Sequence, residues 1–324
     1  MAPNARPDLP ESSQLVSLLK RGRTLLILIG MFILFSTLSP QFRGIINILN
    51  IFEQNAVIGI IACGMAFMII IGGFDLSVGS VAALTGITVG IILRDSPGAF
   101  ILAVLSGLAI GAAVGLVNGL LISKVGINPF VTTLGTMVIC RGLVFVITLG
   151  KPIYGFPMSY NVIGMGKLAG IPIPMIIWGV LVFATYVVLK YTRYGQYVYA
   201  VGGNETAARL SGVNIDRMWI LTTILNGLLA SLGGIVLVFR VMAALPQAAT
   251  GYELTAIAAA VVGGCALGGG RGGVLGTIVG TLILGVIINA LHILGISAYW
   301  ESAVTGIIIL IAVGIDMVAR KMGS

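Results

Sequence analysis

Gly73-Phe74-Asp75-Leu76-Ser77 and Gly251-Tyr252-Glu253-Leu254-Thr255 match type for type, and each opens a run of Ala, Val and Gly that reaches Thr85-Gly86 in the first copy and Gly263-Gly264 in the second. The shared positions include an acid, an aromatic ring and a hydroxyl rather than apolar filler alone, so the pair reads as an internal repeat. If each copy belongs to a unit of five membrane crossings, the second unit runs inverted relative to the first. Inverted repeats of this kind build transporter folds with a pathway at the repeat interface.

Composition agrees with membrane crossings. Of 324 residues, 58% are hydrophobic and 9% charged, against roughly 25% charged in soluble domains, and the mean hydropathy is +1.12. A soluble fold is excluded. The 46 glycines fit as well, because helices in lipid use glycine for close packing. The net charge of +8 does not point to nucleic acid, since the basic residues sit at the ends of apolar runs, where they set topology. Cys63, Cys140 and Cys265 lie singly inside apolar runs, without metal or disulfide spacing, and read as packing residues.

A span needs about 20 apolar residues. Ten runs are candidates: 24–38, 45–71, 78–93, 99–123 and 129–149 in the first half (24–171), then 172–190, 218–239, 254–267, 274–294 and 299–318 in the second (172–320). The expected fold is all-α and polytopic, about ten transmembrane helices in an inverted five-plus-five repeat, preceded by a polar cytoplasmic tail over 1–23. The run 254–267 is the weakest and reads as a broken or re-entrant helix. With both termini cytoplasmic, Arg6, Lys20, Arg21, Arg23, Lys124, Lys190, Arg193, Arg209, Arg217, Arg271, Arg320 and Lys321 fall inside, and Arg43, Arg94, Lys151, Lys167 and Arg240 outside. That ratio obeys the positive-inside rule, and the flipped orientation reverses it.

The longest inner loop, 191–217, spells a short helix: Asn204 as N-cap, Glu205 and Arg209 as an i,i+4 pair, and Gly212 as stop. Ala207, Ala208 and Leu210 give it a small apolar face, which suits either a connector or insertion into a groove on another subunit. Within the spans, Glu53, Asn55, Asn118, Arg141, Asn226 and Asn289 interrupt apolar runs. A charge at mid-membrane costs roughly 2.5–3.5 kcal/mol on insertion scales, so these side chains face protein or a cavity. Interhelical hydrogen bonds account for the asparagines; Arg141 and Glu53 border a pathway, pair with each other or lie near the membrane interface. Asp75 with Ser77 and Glu253 beside Tyr252 sit at helix starts, where capping and a pathway or gating role both fit.

Catalytic chemistry finds little to work with. Gly268 to Gly273 satisfies G-x-G-x-x-G without a strand before it and reads as a turn. No phosphate-cradling G-x-x-x-x-G-K-[S/T] occurs, so no nucleotide or other cofactor is expected in this chain. His292, the one histidine, has no partner on its own helical face and reads as a helix-end packing residue.

Three strings carry a family resemblance: Gly202 to Gly212, the Gly-Phe-Asp-Leu-Ser-Val-Gly-Ser of 73–80, and Gly251-Tyr252-Glu253-Leu254 followed by Ala256-Ile257-Ala258. They closely resemble the ribose-type sugar ABC transporter permeases, relatives of the branched-chain amino-acid permeases, over about Thr24 to Arg320. The resemblance implies a dimeric permease of the bacterial inner membrane that binds two ATPase subunits inside and receives sugar from a periplasmic binding protein. It makes 191–217 the coupling loop, with Gly202, Asn204, Glu205, Ala208, Arg209 and Gly212 at the ATPase contact. Asp75, Ser77, Asn118, Arg141, Asn226, Tyr252, Glu253 and Asn289 are the candidate pathway or gating residues. The chain departs from ribose permeases in the outer loop 150–170 and at Gln247-Ala248-Ala249. A stand-alone ion-coupled carrier is the rival reading, disfavoured by the scarcity of ionisable groups in the spans. An integral-membrane enzyme would need a cluster of catalytic side chains at one depth, and none is visible.

Overall fold

The computed structural model describes residues 11–323 other than Ala298, with side chains from Thr24 onward except at 302, 312, 313 and 315–323. Helices follow one another along the chain: α1 (Glu11–Leu38), α2 (Ile45–Ile71), α3 (Val78–Asp95), α4 (Phe100–Leu120, extended by a π-helical turn Leu121–Val125) and α5 (Pro129–Thr148). After a short α6 (Asn161–Met165) and a hairpin of β1 (Lys167–Leu168) and β2 (Ile171–Pro172) come α7 (Ile173–Tyr191), α8 (Arg193–Gly203), α9 (Glu205–Leu210) and α10 (Ile215–Val241). The chain finishes with α11 (Tyr252–Val262), α12 (Val274–Ile293) and α13 (Trp300–Gly323).

Helix boundaries follow local chemistry. Asn128, Thr192, Asn204 and Asn214 each turn a side-chain oxygen onto a first-turn N–H of α5, α8, α9 and α10, satisfying donors that the helix cannot. Gly72, at φ +103°, stops α2, and the Gly73 N–H reaches back to the Met68 carbonyl at 2.8 Å.

The two 27-residue helices α2 and α10 form the centre. In α2 every residue from Asn55 to Ile71 except Ile58 is buried, as expected of a helix apolar on all sides and enclosed by others. The helix α10 packs on α2, α3, α4 and α6, and α2 packs on α7, α11 and α12. The outer helices α4, α5 and α7 expose Ile101, Leu105, Val138, Val146, Val180 and Phe183. Apolar surface on this scale belongs against lipid.

Close packing rests on glycine. Gly107, Gly111, Gly115 and Gly119 form one face of α4, and a methyl group on Gly111 would collide with Ser231 Oγ and the Gly227 carbonyl of α10. On Gly115 it would lie 2.7 Å from Ile224 Cα. The α2–α10 crossing follows the same rule, with Gly64 against Asn226, and a methyl group on Gly233 would lie 2.8 Å from Ile61 Cγ1. The Trp178 ring of α7 lies over Gly59 of α2. The four-residue glycine spacing in α4 is a small-xxx-small pattern that the sequence carries in plain view.

Two expectations change, over 1–23 and over 191–217. Among the described residues, seven helices are long and apolar enough to cross a membrane, with two shorter apolar stretches, Thr24–Leu38 and Tyr252–Val262, where ten spans were expected. The stretch expected as a tail over 1–23 is helical from Glu11, while its first ten residues lie outside the described ones. Loop 191–217 is not one short helix but two, α8 and α9. The weak run at 254–267 becomes an 11-residue helix, about 16 Å long at 1.5 Å per residue, half the hydrocarbon thickness. Glycines at 263–273 take over the rest of it.

Gly111→Val is expected to destabilise the detergent-solubilised protein by about 2–3 kcal/mol or to prevent its accumulation, because overpacking displaces α4 from α10. Gly179→Ala in α7, where a methyl meets nothing within 4 Å, should leave the melting temperature unchanged. Thermal unfolding followed by tryptophan fluorescence checks both.

Candidate functional site

The first repeated motif forms a closed polar knot. Asp75 lies in the connection between α2 and α3, only 2% exposed. Its Oδ1 accepts from the Ser77 backbone N–H at 2.8 Å and from Ser77 Oγ at 2.5 Å. Its Oδ2 accepts from Asn226 Nδ2 of α10 at 2.7 Å. Asn118 Nδ2 of α4 reaches Ser77 Oγ at 3.3 Å. Four residues that the sequence scatters over 150 positions thus converge, all buried. Burial raises the Asp75 carboxyl from its ordinary range, and the hydrogen bonds from Ser77 and Asn226 oppose that rise. The local turn, with Asp75 bonding the backbone two residues on, is the Asx geometry of helix starts. The bonds to α4 and α10 go beyond a cap.

The second motif opens onto a cavity. A space of about 420 Å³ is bounded by Ser80 of α3, Arg141 and Phe145 of α5, and Thr250 and Glu253 at the start of α11. Glu253 Oε1 accepts from the Gly251 N–H at 3.2 Å. The Arg141 guanidinium does not pair with Glu53: its Nη1 donates to the carbonyls of Pro246 at 2.8 Å and Ala248 at 3.0 Å. The Arg141–Glu53 pair expected as one option is therefore replaced by a clamp of α5 on the segment that feeds α11. Tyr252 borders a separate, mainly apolar space of about 220 Å³ between α3 and α10.

The two motif copies face each other. Gly79 in the first turn of α3 lies so close to α11 that a methyl there would collide with Glu253 Oε2 and stand 2.5 Å from the Ala249 carbonyl. The α3 side of this contact lies beside the middle of α10, where Asn226 holds Asp75 and Gly234 meets Ala82. The α3 start follows the end of α2, where Ile70 touches Gly270, and the α11 start follows Ala244, bridged to Ile153.

Other expected residues lie apart. Asn289 exchanges amide hydrogen bonds with Asn47 of α2 at 2.9 Å in both directions, far along α12 from either motif. His292 meets a carboxylate after all, Glu301 in the first turn of α13 at 2.5 Å, because the connection after α12 is short. Asn55 turns to the Ile51 carbonyl of its own helix at 2.7 Å. The three cysteines are free and buried. The sequence singles out neither Ser80, Thr250 nor Asn47, because single hydroxyls and amides near helix starts are too common to signal anything.

In the 191–217 segment, Asn204 Oδ1 caps α9 through the Ala207 N–H at 2.9 Å, Arg209 pairs with Glu205 at 3.0 Å, and Gly212 at φ +85° ends the turn. The apolar face is smaller than expected. Ala208 is buried against its own chain, while Leu210 is 85% exposed. Tyr194 of α8 bonds Thr222 of α10 at 2.8 Å, so α8 is fixed to the central pair.

Asn226→Ala is expected to cost about 2–3 kcal/mol, because it leaves a buried carboxylate oxygen unpaired. The double variant Asn226→Ala/Asp75→Asn should lose clearly less than the sum of the single losses. Chemical denaturation of the four proteins of this cycle in one detergent decides it.

The model of the family described as branched-chain amino acid transport system / permease component matches residues 47–313. The ribose import permease protein RbsC of Escherichia coli K12 is 43% identical over 92% of this chain and 94% of its own length. RbsC of Bacillus subtilis is 44% identical over 89% and 91%, and the L-arabinose transport system permease protein AraH of Escherichia coli K12 is 37% identical over 92% and 90%. No solved structure gives a significant match. With a family model spanning residues 47–313 and relatives above 40% identity along almost their whole lengths, the chain belongs to the branched-chain amino acid transport system permease family.

Proposed function

We propose that this chain is the membrane-spanning permease subunit of an ATP-driven importer of a small sugar. The observation that carries the reading is the near full-length similarity to permeases for ribose, L-arabinose and, at 35% identity, D-allose. The chain is not an enzyme; ATP is hydrolysed on separate subunits. It sits in the bacterial inner membrane with both termini cytoplasmic, as the distribution of basic residues supports. A binding protein on the outer side delivers the sugar.

The fold reads as ten crossings in two inverted halves. Two features support this: the repeated motif stands at the starts of α3 and α11, and α10 packs on α3 and α4 as α2 packs on α11 and α12. We assign the pathway to the face carrying Ser80, Arg141, Thr250 and Glu253. In a dimer that face would look toward the second permease copy. Its groups suit a neutral polyol: hydroxyls and a carboxylate exchange hydrogen bonds with sugar hydroxyls, and the Arg141 charge is tied to carbonyls. The buried Asp75, Ser77, Asn118 and Asn226 act one layer behind, holding the start of α3.

Transport then follows alternating access, with the halves rocking around the meeting point of α3 and α11. We assign α9 as the coupling helix, with Leu210 as the side chain that enters the ATPase. The Glu205–Arg209 pair, exposed on both sides, contributes only about 0.3–0.5 kcal/mol to stability, so its charges are free to serve a contact.

Purification of the tagged chain from its native membrane in mild detergent is expected to bring a stoichiometric ATP-binding subunit. Isolation alone, with liposome uptake that follows an ion gradient, would replace this reading with a secondary carrier. Leu210→Asp and the pair Glu205→Lys/Arg209→Glu should each lower uptake at least tenfold at unchanged protein level and melting temperature.

A further inference from the structure

Three backbone segments meet at the cytoplasmic ends of α2, α8 and α11. The Gly270 N–H donates to the Ile70 carbonyl of α2 at 2.8 Å. Gly202, in the last turn of α8, sits so close that a methyl group there would collide with the Ile70 carbonyl and stand 2.7 Å from Gly270 N. A methyl on Gly269 would lie 2.6 Å from the Gly202 carbonyl and 3.0 Å from Gly72 Cα. Gly269 and Gly270 hold φ of +78° and +70°, and the Tyr199 hydroxyl of α8 closes the contact by donating to the Gly272 carbonyl at 2.9 Å.

Each of the three segments leads to something the reading above uses. Beyond Gly202 the chain passes through Asn204 into α9. Beyond Ile70 it turns at Gly72 and reaches Asp75 within five residues. The third segment, 263–273, hangs directly from α11, whose first turn carries Glu253. Backbone touching backbone without intervening side chains leaves no flexible group to absorb a displacement, because packed contacts of this kind shift as units rather than deform continuously.

We infer that Gly202, Gly269 and Gly270 are positioning residues: they form a rigid junction that passes movement of α9 to the starts of both α3 and α11 at once. This rests on α9 being the coupling helix. The junction explains why one short helix can act on both halves of the fold. A push on α8 reaches the first half through Ile70 and the second through Gly270.

The test uses the complete assembly of this permease, its ATP-binding subunit and its binding protein in proteoliposomes. ATP hydrolysis is measured alongside uptake of labelled ribose, or of allose or arabinose, whichever the wild-type assembly accumulates. Gly202→Ala is expected to assemble and hydrolyse ATP within about twofold of wild type while moving at least tenfold less sugar per ATP. Gly179→Ala is the control, since a methyl on that glycine of α7 meets nothing within 4 Å, and it should behave as wild type. A merely structural glycine would lower hydrolysis and uptake together and leave their ratio unmoved, which would overturn the inference. So would an unchanged ratio in an intact Gly202→Ala assembly. If Gly202→Ala does not accumulate, Tyr199→Phe decides: a fall of about threefold in sugar moved per ATP supports the junction, and an unchanged ratio overturns it. Leu210→Asp separates the two readings. Normal assembly and uptake with that variant would sink the coupling-helix assignment, whereas an inactive Leu210→Asp beside an unaffected Gly202→Ala would sink the junction alone.

Discussion

Close contact between helix backbones is the constraint on which the rest of this structure depends. In lipid, apolar side chains gain little by meeting one another, since the acyl chains are equally apolar, and association relies on dispersion and hydrogen bonds that demand short distances. Glycine supplies those distances. The α4 stripe of Gly107, Gly111, Gly115 and Gly119 against Thr223, Gly227 and Ser231 lets α4 and α10 run nearly in contact. Gly263 meets Gly276, and Gly280 meets the Ala259 carbonyl, so α11 and α12 do the same.

That closeness creates the polar chemistry as well. With α3, α4 and α10 drawn together, the buried side chains of Asp75, Ser77, Asn118 and Asn226 hydrogen-bond among themselves, while the amide oxygens of Asn118 and Asn226 are left without a partner. Glu253, by contrast, begins a helix that faces the cavity beside α5, and it keeps only a local backbone donor. Two acids in matching sequence contexts therefore occupy different surroundings: one is locked and the other open. The difference arises from neighbours on other helices, not from the motifs themselves.

The short α11 shows how an apolar run too small to span a bilayer is accommodated. Its start touches α3 at Gly79, and its far end passes into the glycine segment 263–273, whose backbone is held by Ile70 and Tyr199. Irregular backbone at such a place is tolerated only where protein meets its hydrogen-bonding groups. The same glycines read in sequence as an isolated G-x-G-x-x-G with no strand before it, a turn that gave no hint of a junction between α2 and α8.

Periodicity and composition alone determined the class of this protein, the position of most helices, the caps at Asn204 and Gly212, and the Glu205–Arg209 pair, because all of these are set by residues within a few positions of one another. The family was legible too, in three short strings. Only the tertiary structure decided that Asn226 holds Asp75, that Arg141 clamps the carbonyls of Pro246 and Ala248 instead of pairing with Glu53, that Asn289 answers Asn47, and that Ala208 is buried while Leu210 stands free. Each of those outcomes depends on which helix lies beside which and at what rotation. That is fixed by the fit of glycine-lined surfaces over long separations in the chain, for which a single sequence holds no local signal.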